Sequence, residues 1–317
     1  MDHQTRRGIQ SGIAAFGIWG LLTLYWKQLD GFNAVELIGW RLVMMTVVMV
    51  AVVAVASMTG RDTGEARGDG PATAPWRLVT EIITQPRVLV IVAISSVLLT
   101  VNWTTYVFAV INDQVVETAL GYFLAPLGTM AIGIVVLGET LTPLRRLAAG
   151  LAVTAVIILT WSYGQIPWLA LIIAGTFSLY GLVKRRSPLS PITGLTAEGL
   201  ILLIPAIGII VWGFARSDAT IVDASGIQWA FLLGTGIATA VPLLLFTRAA
   251  RSVPFTILGP LNYLVPIINF TLGWLVFGEP MPTGRLIGFV LVWLALVAVT
   301  VDTLRPRTAA SELSPVR

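Results

Sequence analysis

The chain has 317 residues, 56% of them hydrophobic and only 11% charged, with 20 basic and 16 acidic side chains for a formal net charge of +4. A soluble protein carries about one quarter charged residues, and a disordered one joins low hydrophobicity to high net charge, so neither class fits. Cysteine is absent and the single histidine is His3, in the polar N-terminal stretch. That removes disulfides, thiolate metal sites, cysteine nucleophiles and most histidine-dependent acid–base chemistry.

A membrane-spanning helix needs about 20 mostly apolar residues. The sequence predicts ten such stretches, over 9–26, 36–58, 88–111, 115–137, 143–162, 166–183, 193–213, 227–247, 255–277 and 284–303. The first follows Arg6 and Arg7, but its apolar run is longer than a signal peptide's and no cleavage site precedes Tyr25-Trp26-Lys27, so it reads as a span. The longest remainder, 59–87, is rich in Gly, Ala, Thr and charge and reads as a flexible cytoplasmic loop. Residues 305–317 read as a disordered cytoplasmic tail, and no soluble domain fits anywhere.

Placing the N-terminus in the cytoplasm gathers Arg6, Arg7, Arg61, Arg67, Arg77, Arg87, Arg145, Arg146, Lys184, Arg185, Arg186, Arg248, Arg251, Arg305, Arg307 and Arg317 on that side. Only Lys27, Arg216 and Arg285 fall outside, and Arg41 lies within a span. This is the asymmetry of the positive-inside rule. It puts both termini inside, and the basic residues mark topology rather than a nucleic-acid footprint.

An internal repeat runs through the chain. Tyr122 to Pro126, then Leu137-Gly138-Glu139, matches Asn262 to Pro266, then Phe277-Gly278-Glu279, at an offset of 140 residues. Phe16-Gly17-Ile18-Trp19-Gly20-Leu21 resembles Phe177-Ser178-Leu179-Tyr180-Gly181-Leu182 at an offset of 161, the difference being absorbed by the 59–87 loop. The expected organisation is two five-helix units, 1–162 and 163–304. Five is odd, so the copies enter the membrane in opposite directions, as inverted repeats do in alternating-access transporters. Pro126 and Pro266 are expected to kink spans four and nine beside a central cavity or, equally, only to shape helix packing.

Ionisable groups inside a span are costly and therefore functional candidates. Arg41 is the sharpest, because a guanidinium keeps its charge and needs an acidic partner or an anionic ligand. Glu198, deep in span seven, suits a proton-coupling carboxylate; Glu36 and Glu117 lie near the outer ends of spans two and four. A structural bridge between Arg41 and Glu198 or Glu117 is the competing reading. Asn102 and Tyr106, with Trp103 adjacent, share one face of span three, and Asn262, Pro266 and Asn269 share one face of span nine. Together with Tyr122, Tyr180 and Tyr263 they are candidates to line a pathway, against the plainer role of hydrogen-bonding neighbouring helices. Glu139 and Glu279 close their spans and read as helix-end devices.

These residues resemble the ten-span drug/metabolite transporter superfamily with paired EamA domains, and more narrowly its RarD-type branch, from about residue 5 to 304. The resemblance is carried by Trp19-Gly20 with Tyr25 and Lys27, Glu36 with Arg41, Asn102-Trp103, Glu117 through Phe123 to Pro126-Leu127, Leu137-Gly138-Glu139, Tyr180-Gly181-Leu182-Val183, Val241-Pro242-Leu243, and Tyr263 through Glu279. It implies an inner-membrane transporter with the inverted five-plus-five fold. The chain departs from the pattern at Thr23, where a proline is expected, and at Trp40, where a histidine is expected before Arg41; both positions fall near the expected cavity.

The reading that follows is an all-α integral membrane protein of the inner membrane. It is a secondary transporter, foremost an exporter of a small organic metabolite or drug-like solute, with proton coupling left open. The alternatives are an amino-acid or metabolite uptake carrier and, behind it, a channel; an enzyme is disfavoured. No cofactor, metal, nucleotide or nucleic acid is implied, the partners being the solute and the lipid bilayer, and the chain is expected to be a monomer or homodimer.

Overall fold

The computed structural model describes residues 3–58, 84–137, 142–189, 191–215, 220–252 and 261–304. The expectations for the loop over 59–83, for Glu139 and for the tail over 305–317 lie outside the described residues. All regular structure among the described residues is helical: α1 (His3–Lys27), α2 (Ala34–Met58), α3 (Pro86–Ile111), α4 (Val115–Leu137), α5 (Pro143–Tyr163), α6 (Trp168–Arg185), α7 (Pro191–Ala215), α8 (Gly226–Ser252), α9 (Leu264–Thr271) and α10 (Thr283–Leu304), with a one-turn 3-10 helix at Thr220–Asp223.

Local chemistry sets the ends. Asn33 Oδ1 accepts the Val35 N–H at 2.8 Å where α2 starts. Thr142 caps α5 by accepting the Arg145 N–H, with Pro143 at the first helical position and Gly164 left-handed (φ 70°) at the other end, the usual division of labour between the two termini. Among the described residues, eight helices are long and apolar enough to cross a membrane; Trp168–Lys184 and Leu264–Val276 are shorter apolar helices. Large apolar side chains stand fully outward, among them Val135, Trp161 and Ile204, each at least 80% exposed. A surface of that kind is suited to lipid, not water.

α9 differs from a simple span. Residues 253–260 lie outside the described residues, Asn262 and Tyr263 form a turn, and Pro266 stands in the first turn of α9 instead of inside a continuous helix. The Asn262 carbonyl, which the proline cannot serve, accepts the Val265 N–H at 3.3 Å. α9 then widens into a π turn over Leu272–Val276 that closes through Phe277 N–H to the Leu272 carbonyl at 2.8 Å. Pro126 does sit within α4, and Pro205 and Pro242 are likewise internal to α7 and α8.

The helices pack as α1 with α8 and α9, α2 with α7 and α8, α3 with α6 and α7, α4 with α6 and α9, and α5 with α10. One apolar core runs through Trp26, Leu37, Leu42, Met45, Val107 and Leu232. A second joins α4, α9 and α10 through packed rings, with Phe270 and Phe289 tilted at 4.8 Å and Phe270 and Trp293 edge-on at 5.3 Å. α2 and α8 approach so closely that a Cβ on Gly236 would stand 2.7 Å from the Met44 carbonyl carbon.

Two buried glutamates tie helix starts across the bundle. Glu279, after left-handed Gly278, accepts the Val115 and Val116 N–H groups at 2.6 and 2.9 Å. It thereby supplies both the hydrogen bonds and the negative charge that the start of α4 favours. Glu117 on α4 accepts the Leu169 N–H of α6 at 3.2 Å, with Ala170 N–H at 3.5 Å.

Candidate functional site

A cavity of about 450 Å³ opens in the interior, within the range of small-molecule sites. α1 to α4 and α6 to α9 all contribute to its wall; among the described residues α5 and α10 give none to it. Arg41, Asn102, Trp103, Tyr106, Tyr122 and Tyr180 all line it, and so do Asn262 from the turn before α9 and Pro266 from α9. Tyr263 and Asn269 do not. Tyr263 packs into the second core, because the turn before α9 points successive side chains to opposite sides. Asn269 is fully enclosed behind the wall.

Behind the wall, hydroxyls and amides make contacts among five helices, α1, α3, α4, α6 and α9. Thr23 Oγ1 donates to Asn269 Oδ1 at 2.9 Å, which leaves its lone pairs to accept the Tyr106 hydroxyl proton at 2.9 Å. Asn269 Nδ2 reaches Thr118 Oγ1 at 3.4 Å, and Asn102 Nδ2 donates to the Ile173 carbonyl and to Thr176 Oγ1, both at 3.0 Å. Thr23, noted in the sequence only as a departure from a proline, is therefore the link between α1, α3 and α9. Trp40 does not line the cavity; its ring meets Trp229 edge-on at 5.1 Å, anchoring α2 to α8.

The four charges that topology leaves unexplained have different fates. Glu36, on the first turn of α2, accepts the Thr220 hydroxyl at 2.6 Å. Glu117 serves the start of α6, as described. Glu198 is fully buried and receives Lys184 Nζ at 2.6 Å, the Ser95 hydroxyl at 2.7 Å and the Tyr180 hydroxyl at 3.2 Å. Neither glutamate bridges to Arg41, and Lys184, counted from the sequence as an interface charge, turns back along the bundle to Glu198.

Arg41 is left alone. Only 5% exposed, it makes no hydrogen bond or ion pair among the described residues, and its Nε and Nη1 are enclosed without a partner. Its guanidinium lies between two indoles, 3.9 Å from the Trp103 ring centre and 5.1 Å from that of Trp26. Those contacts recover part of the cost of burying the charge. They supply no hydrogen-bond acceptor, and an indole N–H cannot become one.

Apolar helices, an outward face of large hydrophobic side chains and an interior cavity with an aromatic wall define a multi-pass membrane protein built around an internal site. The profile of the EamA-like transporter family matches residues 166–301. Protein RarD of Streptomyces exfoliatus is 39% identical over 305 residues, 96% of this chain and 91% of that one. An uncharacterized transporter of Pseudomonas aeruginosa is 35% identical, covering 95% of each chain. Protein RarD of Escherichia coli K12 is 29% identical over 98% of this chain and 99% of its own. A solved crystal structure superposes with a TM-score of 0.54 at 17% identity, over 94% of this chain and 99% of that one; at that identity the likeness concerns fold. The chain belongs to the EamA-like transporter family, in its RarD-type branch, and is a membrane transporter and not an enzyme.

Proposed function

We propose that the protein exports a small organic solute across the inner membrane by alternating access between two inverted five-helix repeats, residues 1–162 and 163–304, with both termini cytoplasmic. The observation that carries this reading is the cavity, whose wall draws on helices from both halves, where alternating-access carriers hold their solute. The packing pattern supports the repeat. Advancing each helix by five turns α1 with α8 into α6 with α3, α1 with α9 into α6 with α4, and α2 with α8 into α7 with α3, while α2 with α7, α4 with α9 and α5 with α10 map onto themselves; every one of these pairs is in contact. The family profile over 166–301 covers most of the second unit.

Glu198 is the proposed coupling carboxylate. Protonation at Glu198 cancels its pairing with Lys184 and loosens Tyr180, which both lines the cavity and donates to Glu198. The Tyr180 contact thereby ties Glu198 to the cavity wall. The test is flux in proteoliposomes and accumulation in everted vesicles under an imposed pH gradient, with Glu198→Gln and with Val265→Trp, which fills the cavity. Export driven by the gradient, lost in Val265→Trp and uncoupled from pH in Glu198→Gln, supports the reading. Flux that persists in Val265→Trp overturns the site, and flux indifferent to the gradient removes Glu198 as the coupling group.

A further inference from the structure

We infer that the transported solute is an organic monoanion with an apolar, ring-bearing body, its carboxylate or sulfonate held by Arg41. The inference rests on the cavity being the transport site. Arg41 is a permanent cation at the cavity wall with two guanidinium nitrogens unpartnered in the interior. A buried charge of this kind is retained at a cost in stability, and the missing element is an acceptor in the cavity. Among the described residues the protein itself does not supply one. Glu36, Glu117, Glu198 and Glu279 are engaged with Thr220, the start of α6, Lys184 and the start of α4. The ionisable side chains close enough to feel the Arg41 charge are Tyr122, Tyr106 and Tyr25, none of them a carboxylate.

The rest of the wall describes the other end of the solute. Phe16, Trp19, Phe177 and Phe246 add rings to those beside Arg41. The polar groups are largely spent: the Tyr106 hydroxyl on Thr23 and the Asn102 amide on Ile173 and Thr176. Among the described residues no acidic side chain lines the cavity, the Glu198 carboxylate lying behind Tyr180. A solute ammonium would meet Arg41 without a counter-charge, so the same wall that accepts an anion disfavours cations and zwitterions of the same body.

The probes are 3-phenylpropionate and 3-phenylpropanesulfonate, matched against 3-phenylpropanol, 3-phenylpropylamine and zwitterionic phenylalanine. Binding to purified protein in nanodiscs is read by tryptophan quenching and by thermal protection. A charge-assisted guanidinium contact corresponds to about tenfold to a hundredfold in affinity, so both anions should bind tighter than the three controls by that factor. Arg41→Gln should lose that advantage while leaving the weak binding of the alcohol unchanged, and Arg41→Lys should keep part of it. Monodisperse elution of both variants checks the fold. Equal or tighter binding of the alcohol, amine or zwitterion, retention of anion affinity by Arg41→Gln, or failure of both anions to bind overturns the inference. Flux separates it from the transport reading. Arg41-dependent binding without flux in proteoliposomes leaves the anion site standing and defeats the transport reading. Flux of the alcohol or amine that Arg41→Gln retains does the reverse.

Discussion

The Lys184–Glu198 pair makes an asymmetric prediction. The Glu198 side chain is completely enclosed, whereas that of Lys184 is 22% exposed. Lys184→Met leaves a carboxylate buried with only the Ser95 and Tyr180 hydroxyls to satisfy it. Breaking a buried pair from one side costs about 3–5 kcal/mol, and the two surviving hydroxyl contacts set the expectation at the lower end, about 3 kcal/mol. Glu198→Met leaves an ammonium on a flexible four-carbon stem beside the bundle's end, where it can swing outward. The loss is then mainly one orphaned hydroxyl, that of Tyr180, because Ser95 keeps the Val92 carbonyl at 3.0 Å, about 1–2 kcal/mol. The double variant replaces the pair by apolar side chains and should lie within about 1 kcal/mol of the wild type, because a buried pair and a packed apolar substitute are often close in energy. Reversible unfolding in mixed micelles, run as a double-mutant cycle, measures all three. Equal single losses that simply add in the double variant would refute the reasoning, since they would mean that the two groups do not depend on each other.

Arg41→Met should stabilise the fold by about 0.5–3 kcal/mol in the same assay. The insertion cost of a central arginine, about 2.5–3.5 kcal/mol, is relieved, less roughly 0.5–2 kcal/mol of cation–π attraction; a net loss would make Arg41 a structural residue. Gly236→Ala should destabilise by about 1–3 kcal/mol, because the new methyl meets Met44 backbone and not a side chain that can turn away; an unchanged or raised unfolding midpoint contradicts the close packing of α2 on α8. Burial pushes the Glu279 carboxyl above its ordinary value of 4.5 despite the opposing pull of the Val116 and Val115 N–H groups. Its contribution to stability is thus full below pH 4.5 and lost as pH rises through the raised titration point. Unfolding midpoints measured across that window should fall with pH more steeply in the wild type than in Glu279→Gln, and parallel slopes would exclude it.

The helices were legible because each apolar run is closed by a strong local signal. The expected span over 115–137 coincides with α4, and that over 88–111 starts two residues inside α3, where Pro86 takes the first helical position. Part of the cavity wall stood out because polar residues are scarce in an apolar chain, as with Arg41, Asn102 and Asn262, whereas Phe16, Phe177, Phe246 and the leucines of the same wall carry no such signal. What escaped notice depends on distance along the chain. Thr23 is one hydroxyl in an apolar helix, and its partners lie 83 and 246 residues away. Lys184 sits at a helix end, where a basic residue ordinarily marks the interface, and nothing local tells that its stem reaches back to Glu198. Glu279 was recognised as a helix-end device, but the helix it serves is α4, 163 residues earlier.

Solute counterflow tests the carrier with its site in the central cavity most directly. Proteoliposomes preloaded with unlabelled 3-phenylpropionate are diluted into a trace of labelled 3-phenylpropionate. A carrier that exposes one site alternately to each side should show a transient overshoot of label inside, absent from Val265→Trp and from Arg41→Gln. Label entry that is linear, unsaturable and indifferent to the internal load, or no entry above protein-free liposomes, would contradict it.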